Sequence, residues 1–133
     1  MKKFLMYFMA VLFAGMTFTS CQKNDPASLI QGKWSATLVS MTEDGQTQDV
    51  KIETPSYMYY TFLADGNYLR EVNAMGEQGQ DEGTWELKDK ILILDKGGYD
   101  EMEYSVLELT GSKLVVKAQM GSSSLKINFN KVK

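Results

Sequence analysis

Arg70 is the one arginine among 133 residues, and the residues around it alternate regularly enough to say which way it points. An arginine turned into an apolar interior must meet an anion, because a desolvated, unpaired guanidinium is costly. That anion is either a ligand carboxylate or phosphate held near the mouth of the fold, or a structural carboxylate of the chain itself; a different register would instead leave Arg70 in water. Tyr60, Tyr68, Trp85 and Tyr104 carry rings with polar tips that could line a binding pocket beside it. The same bulk could instead fill a core. Glu77, Asp81 and Glu82 in one loop, and Asp95, Asp100, Glu101 and Glu103 near another, are hard oxygen donors of the kind calcium takes. Neither stretch follows the Asp-x-Asp-x-Asp-Gly spacing, so solvated charge is the favoured reading. Two carboxylates could in principle hydrolyse a glycoside, but nothing sets one pair apart from the rest.

Other chemistry is excluded by what is missing. The chain has no histidine, and Cys21 is its only cysteine. Disulfides, Cys-x-x-Cys metal sites, thiol nucleophiles and imidazole-dependent triads all fall away. No glycine-rich phosphate loop leads from a strand into a helix. No metal, cofactor or enzymatic activity is expected. The net charge is −3, which argues against nucleic acid or anionic lipid as a direct partner of the folded part.

The elements that must position these side chains are strands. Alternation of period two runs through 33–41, 49–53, 57–64, 67–74, 83–87, 91–95, 101–109, 113–120 and 124–132, broken by turn residues such as Asp44-Gly45, Asp65-Gly66 and Gly97-Gly98. A short helical turn fits 27–32. If Ala64-Asp65-Gly66 is a three-residue hairpin loop, Leu63 pairs with Asn67. Met58, Tyr60 and Phe62 then share the inner face with Tyr68, Arg70 and Val72. The same loop length at Lys88-Asp89-Lys90 sets Trp85 and Leu87 beside Ile91 and Ile93, leaving Leu92 and Leu94 outside. Trp34, Ala36 and Leu38 form the inner face of the first strand; Val50 and Ile52 share a face of the second. Leu114, Val116 and Ala118 match Leu125, Ile127 and Phe129. The alternation slips between Val106 and Leu107, which requires a bulge. Eight or nine short strands joined by hairpins, with no covering helix, remove their edges best by closing. The expected fold is all-β, an up-and-down antiparallel barrel of about eight strands, preferred over a Greek-key sandwich.

The first 20 residues read as a secretory signal, Lys2 and Lys3 followed by an apolar run ending in small residues. Without them 12 basic groups face 17 acidic ones, a net of −5. The segment Phe18-Thr19-Ser20-Cys21 resembles the lipobox of bacterial lipoproteins, with phenylalanine where leucine is usual. That resemblance implies cleavage before Cys21, acylation of its thiol and new amine (palmitate among the chains), and membrane attachment through the acyl groups. By analogy with sorting of such proteins, Gln22 in place of aspartate points to the outer membrane of the cell envelope, with periplasmic and surface faces both open. Residues 21–27 then form a polar tether and 28–133 the barrel.

Gly32-Lys33-Trp34 heads the first strand, and Tyr60-Thr61-Phe62, Asp65-Gly66-Asn67-Tyr68, Gly83-Thr84-Trp85-Glu86 and Leu109-Thr110-Gly111-Ser112-Lys113-Leu114 follow in order. Together they resemble the small lipocalin-like lipoproteins of Bacteroidetes over about residues 28–132. The resemblance implies a calycin-type barrel with Gly32 and Trp34 at its closed end, and in lipocalins proper a lumen for a small apolar ligand. One departure stands out. Lipocalins stack an arginine over the opening tryptophan, whereas the last strand here has only Lys131 and Lys133. Either a lysine takes that place, or apolar neighbours such as Leu29 and Ile30 close off Trp34. The leading function is therefore a lipid-anchored protein binding a small apolar or amphipathic molecule. The alternative is a filled barrel that presents a patch such as Leu92 and Leu94 to an envelope protein partner, as inhibitor or accessory subunit.

Overall fold

The computed structural model describes residues 25–133. The signal segment, Cys21 and most of the tether lie outside the described residues. The described chain opens with a single turn, α1 (Pro26–Leu29), started by a proline whose missing N–H costs a helix nothing at that position. Nine strands follow: β1 (Gly32–Glu43), β2 (Gln46–Lys51), β3 (Tyr57–Phe62), β4 (Asn67–Ala74), β5 (Glu77–Lys88), β6 (Ile91–Leu94), β7 (Met102–Leu109), β8 (Lys113–Met120) and β9 (Ser123–Lys131).

All pairings are antiparallel, and β1 closes the sheet by pairing with β9 from Trp34 to Glu43. The barrel proper has eight strands. β2 is additional: it pairs with the second half of β1, while β3 pairs with the first half on the same side. The up-and-down path puts loops 63–66, 89–90 and 110–112 at the end where α1 enters. Loops 44–45, 75–76, 95–101 and 121–122 lie at the opposite end, the mouth, while 52–56 joins β2 to β3 beside the middle of β1.

The β3–β4 register agrees with expectation. Met58, Tyr60 and Phe62 face Val72, Arg70 and Tyr68, and the Leu63 N–H donates to the Asn67 carbonyl. The β8–β9 pairs agree as well, and the bulge falls between Val106 and Glu108, throwing Leu107 outward.

Three expectations fail. The β5–β6 turn has two residues, not three. Asp89, at φ 56°, turns the chain so that Lys88 pairs with Ile91 and Trp85 with Leu94. Because a one-residue slip exchanges the faces of a strand, Leu92 and Leu94 are buried, while Ile91 and Ile93 turn outward. No outer patch exists at Leu92 and Leu94. In β1 a bulge at Thr37 shifts the alternation, so Val39, not Leu38, joins Trp34 and Ala36 in the core. β2 starts earlier than expected and is exposed along its whole length, Val50 included. A fourth difference is an addition. β5 extends back to Glu77, because the polar run 77–82 finds backbone partners along β4 that no hydrophobic pattern announces.

The interior is packed solid. Trp34, Ile30 and Leu114 have no exposed surface, and Phe62, Val39 and Val116 nearly none. A void among the inner side chains holds about 10 Å³, room for about one water.

Candidate functional site

A cleft of about 450 Å³ opens at the mouth, between the 95–101 loop and the inner faces of β4, β5 and β7. Tyr60, Leu94 and Tyr104 line both this cleft and the void beneath it, so they form its floor. Tyr68 and Arg70 make one wall, and Tyr99 stands fully exposed on the rim. Three of the four ring-bearing candidates from the sequence thus meet in one place, together with Arg70.

Arg70 faces inward, as its register requires, but its anion is already present. Nε and Nη2 donate to Oδ1 and Oδ2 of Asp81, its cross-strand neighbour on β5, at 3.0 Å each. Burial pulls the guanidinium pKa down; the Asp81 bonds and the neighbouring Tyr60 outweigh that and hold it above its usual value. The fork geometry is strong for orientation. With both side chains more than a third exposed, its contribution to stability is small.

The tyrosines stay protonated. Burial raises the Tyr60 hydroxyl above the ordinary phenol range, against the pull of Arg70. Burial raises Tyr104 likewise, with Tyr60 adding and Arg70 subtracting. Tyr68 is raised by burial and by donating its hydrogen bond to Asp95 Oδ2 at 3.0 Å. These hydroxyls are donors over the whole physiological range.

Asp95 is the residue that sequence reasoning missed. By sequence it is only one of several solvated acids. Its second oxygen accepts from the Thr84 N–H at 3.1 Å, so one carboxylate ties the start of the 95–101 loop to β5 and to Tyr68. Gly83 makes this approach feasible. A Cβ there would lie 2.0 Å from Asp95 Oδ1 and 2.6 Å from the Tyr68 ring. Farther along the loop, Glu101 accepts from the Gly97 N–H at 2.8 Å. The pairing of a strand-end aspartate with a distant glycine leaves no local pattern to find.

Trp85 does not join the cleft. Its indole N–H donates to the Leu63 carbonyl at 2.9 Å, and its ring meets Phe62 edge-on at 5.6 Å, towards the closed end. The acidic residues do not assemble into a metal centre: among the described residues no three potential ligands converge.

At the closed end, Trp34 is fully buried and donates from Nε1 to the Ile30 carbonyl at 2.7 Å. Lys131 covers it. Nζ sits 4.5 Å from the ring centroid and donates to the carbonyls of Gln31 at 2.6 Å and Leu29 at 3.2 Å. A lysine therefore takes the place over the tryptophan, and the last residue of α1 together with Gln31 just beyond it supplies the oxygen atoms it needs. Gly32 leaves it room, since a Cβ there would lie 2.8 Å from Lys131 Cε. Burial still lowers the pKa of that lysine.

The sequence pattern of a lipocalin-like domain family matches residues 30–116, from the residue that accepts the Trp34 hydrogen bond to the middle of β8. The chain belongs to this lipocalin-like family. A crystal structure of a lipocalin-like protein from Bacteroides uniformis superposes with a TM-score of 0.50 at 19% identity, covering 78% of this chain and 99% of that one. A redesigned β-barrel aligns at 17% identity with a TM-score of 0.43, over 81% of this chain and 96% of the other. No curated protein matches. Lipocalin-like domains are in general binding folds rather than catalytic ones.

Proposed function

We propose that the protein is an envelope lipoprotein, held to the outer membrane by acyl groups on Cys21, and that its barrel binds a small amphipathic molecule in the mouth cleft. The observation that carries the binding part is the meeting of Tyr60, Tyr68 and Tyr104 around a cleft of about 450 Å³, a volume within the range of small-ligand sites. The ligand lies above the floor, not in the lumen, because the space below is filled. Its charge follows from the lining. Arg70 is engaged by Asp81, and Asp95, Asp100 and Glu101 add negative charge. A neutral or cationic head group over tyrosine faces suits this site; a fatty-acid anion does not. The lipoprotein part rests on the Phe18–Cys21 segment alone.

The test is a titration with naphthalene probes that share one ring system and differ in head-group charge. Saturable one-to-one binding is expected, tighter for the ammonium probe than for the sulfonate. Tyr99→Ala and Asp100→Asn, both on exposed positions of the 95–101 loop, should weaken it without unfolding the barrel. The filled interior favours a second reading, a barrel that binds another protein. Absence of saturable binding for every probe would leave that reading in possession.

A further inference from the structure

β2 has one edge against β1 and, among the described residues, no strand on the other. Its backbone shows which groups face outward. The Ile52 N–H donates to the Thr37 carbonyl of β1, and Glu43 and Gln46 flank a two-residue turn, where the closing pair exchanges both hydrogen bonds. Even-numbered residues from 46 to 52 therefore bond towards β1. The N–H and C=O groups of Thr47, Asp49 and Lys51 point to the free edge. Natural sheets usually blunt such an edge with charge, and this one carries two charges of opposite sign at positions i and i+2.

We infer that β2 pairs antiparallel with β2 of a second copy, about a two-fold axis through Val50. In that register, and in no other symmetric one, each Asp49 stands opposite a Lys51, and the outward backbone groups of both residues form the bonded pairs. Moving the axis to Asp49 would place the two carboxylates opposite each other, which repels. Val50, an exposed apolar side chain, then meets its own copy in a non-hydrogen-bonded pair. The free edge is thus complementary to itself in charge, in backbone phase and in its one apolar residue.

The experiment uses the full chain in its own membranes, with the wild type, which retains Cys21, as baseline. In a non-hydrogen-bonded antiparallel pair the Cα atoms lie about 4.5 Å apart, inside the range a disulfide spans. Val50→Cys should therefore give a disulfide-linked dimer on mild oxidation, and Gln46→Cys, four residues off the axis, should not exceed baseline. In the Val50→Cys background, Asp49→Lys or Lys51→Asp should each lower the cross-linked fraction about tenfold. The double exchange Asp49→Lys with Lys51→Asp should restore it. Failure of the exchange to restore, a Val50→Cys yield at baseline, or linkage to a different protein instead of a second copy would each overturn the inference.

Discussion

Two kinds of side chain, one lysine and three tyrosines, carry functions in the fold that their types alone conceal. Lys131 supplies three contacts at once, two carbonyls of the α1 region and the face of Trp34. Lys131→Met keeps the aliphatic stem and loses the ammonium. It should cost about 1–2 kcal/mol in chemical denaturation, the worth of partly solvated charged hydrogen bonds plus a cation–π contact. An unchanged midpoint would show that the stem alone closes the barrel. Tyr60, Tyr68 and Tyr104 make the second case, through pH. Each has its folded pKa raised, so the unfolded chain gives up these protons at about pH 10 while the folded chain keeps them. The stability they confer is complete below about pH 10 and is lost as pH rises beyond it. Phenolate absorbance should show these hydroxyls ionising only as the barrel unfolds. Tyr68→Phe should remove one late proton, flatten the alkaline fall and cost about 1 kcal/mol at neutral pH by leaving Asp95 Oδ2 without its partner.

At the scale of elements, legibility followed turn chemistry. The Ala64-Asp65-Gly66 loop announces its own length, and with it came the correct inner faces of β3 and β4 and the inward direction of Arg70. Lys88-Asp89-Lys90 does not, because an aspartate at positive φ looks like any other aspartate in sequence. A four-residue apolar strand, Ile91 to Leu94, then fits either register equally well. The Thr37 bulge hid for the same reason: Leu38 and Val39 are interchangeable by type, and only pairing with both β2 and β9 decides between them. In the site, the tyrosines and Arg70 were legible from alternation. Asp81 as the partner of Arg70 was not, since β5 between Glu77 and Glu82 has no apolar face. The β6 register is open to direct test. Leu92→Glu buries an unpaired carboxylate and should unfold a domain of ordinary marginal stability. Ile93→Glu, one residue on, should change stability by about 0.5 kcal/mol or less. The reverse ranking would restore the three-residue loop.

For the whole molecule, the arrangement separates a rigid floor from a changeable rim. The layer of Tyr60, Leu94 and Tyr104 belongs to the packed barrel, whereas the 95–101 loop is attached at its base through Asp95 and braced by Glu101. Specificity can then vary in the loop without cost to the core. The proposed attachment to the membrane is tested on the entire chain. Cys21→Ser should abolish incorporation of labelled palmitate and move the protein out of the detergent phase. Persistent membrane fractionation would place the anchor elsewhere.

The entry of the chain at the end opposite the 95–101 loop decides how such a molecule would trade with its surroundings. If the proposed acyl anchor at Cys21 holds, the barrel would hang by its sealed base, with the tyrosine-lined cup facing away from the bilayer. Cargo would arrive and leave through water and could not slide in sideways from the lipid leaflet. Exchange would then follow the concentration of free ligand in the aqueous phase. The anchor would set how many cups a given area of membrane displays, not what each one can reach.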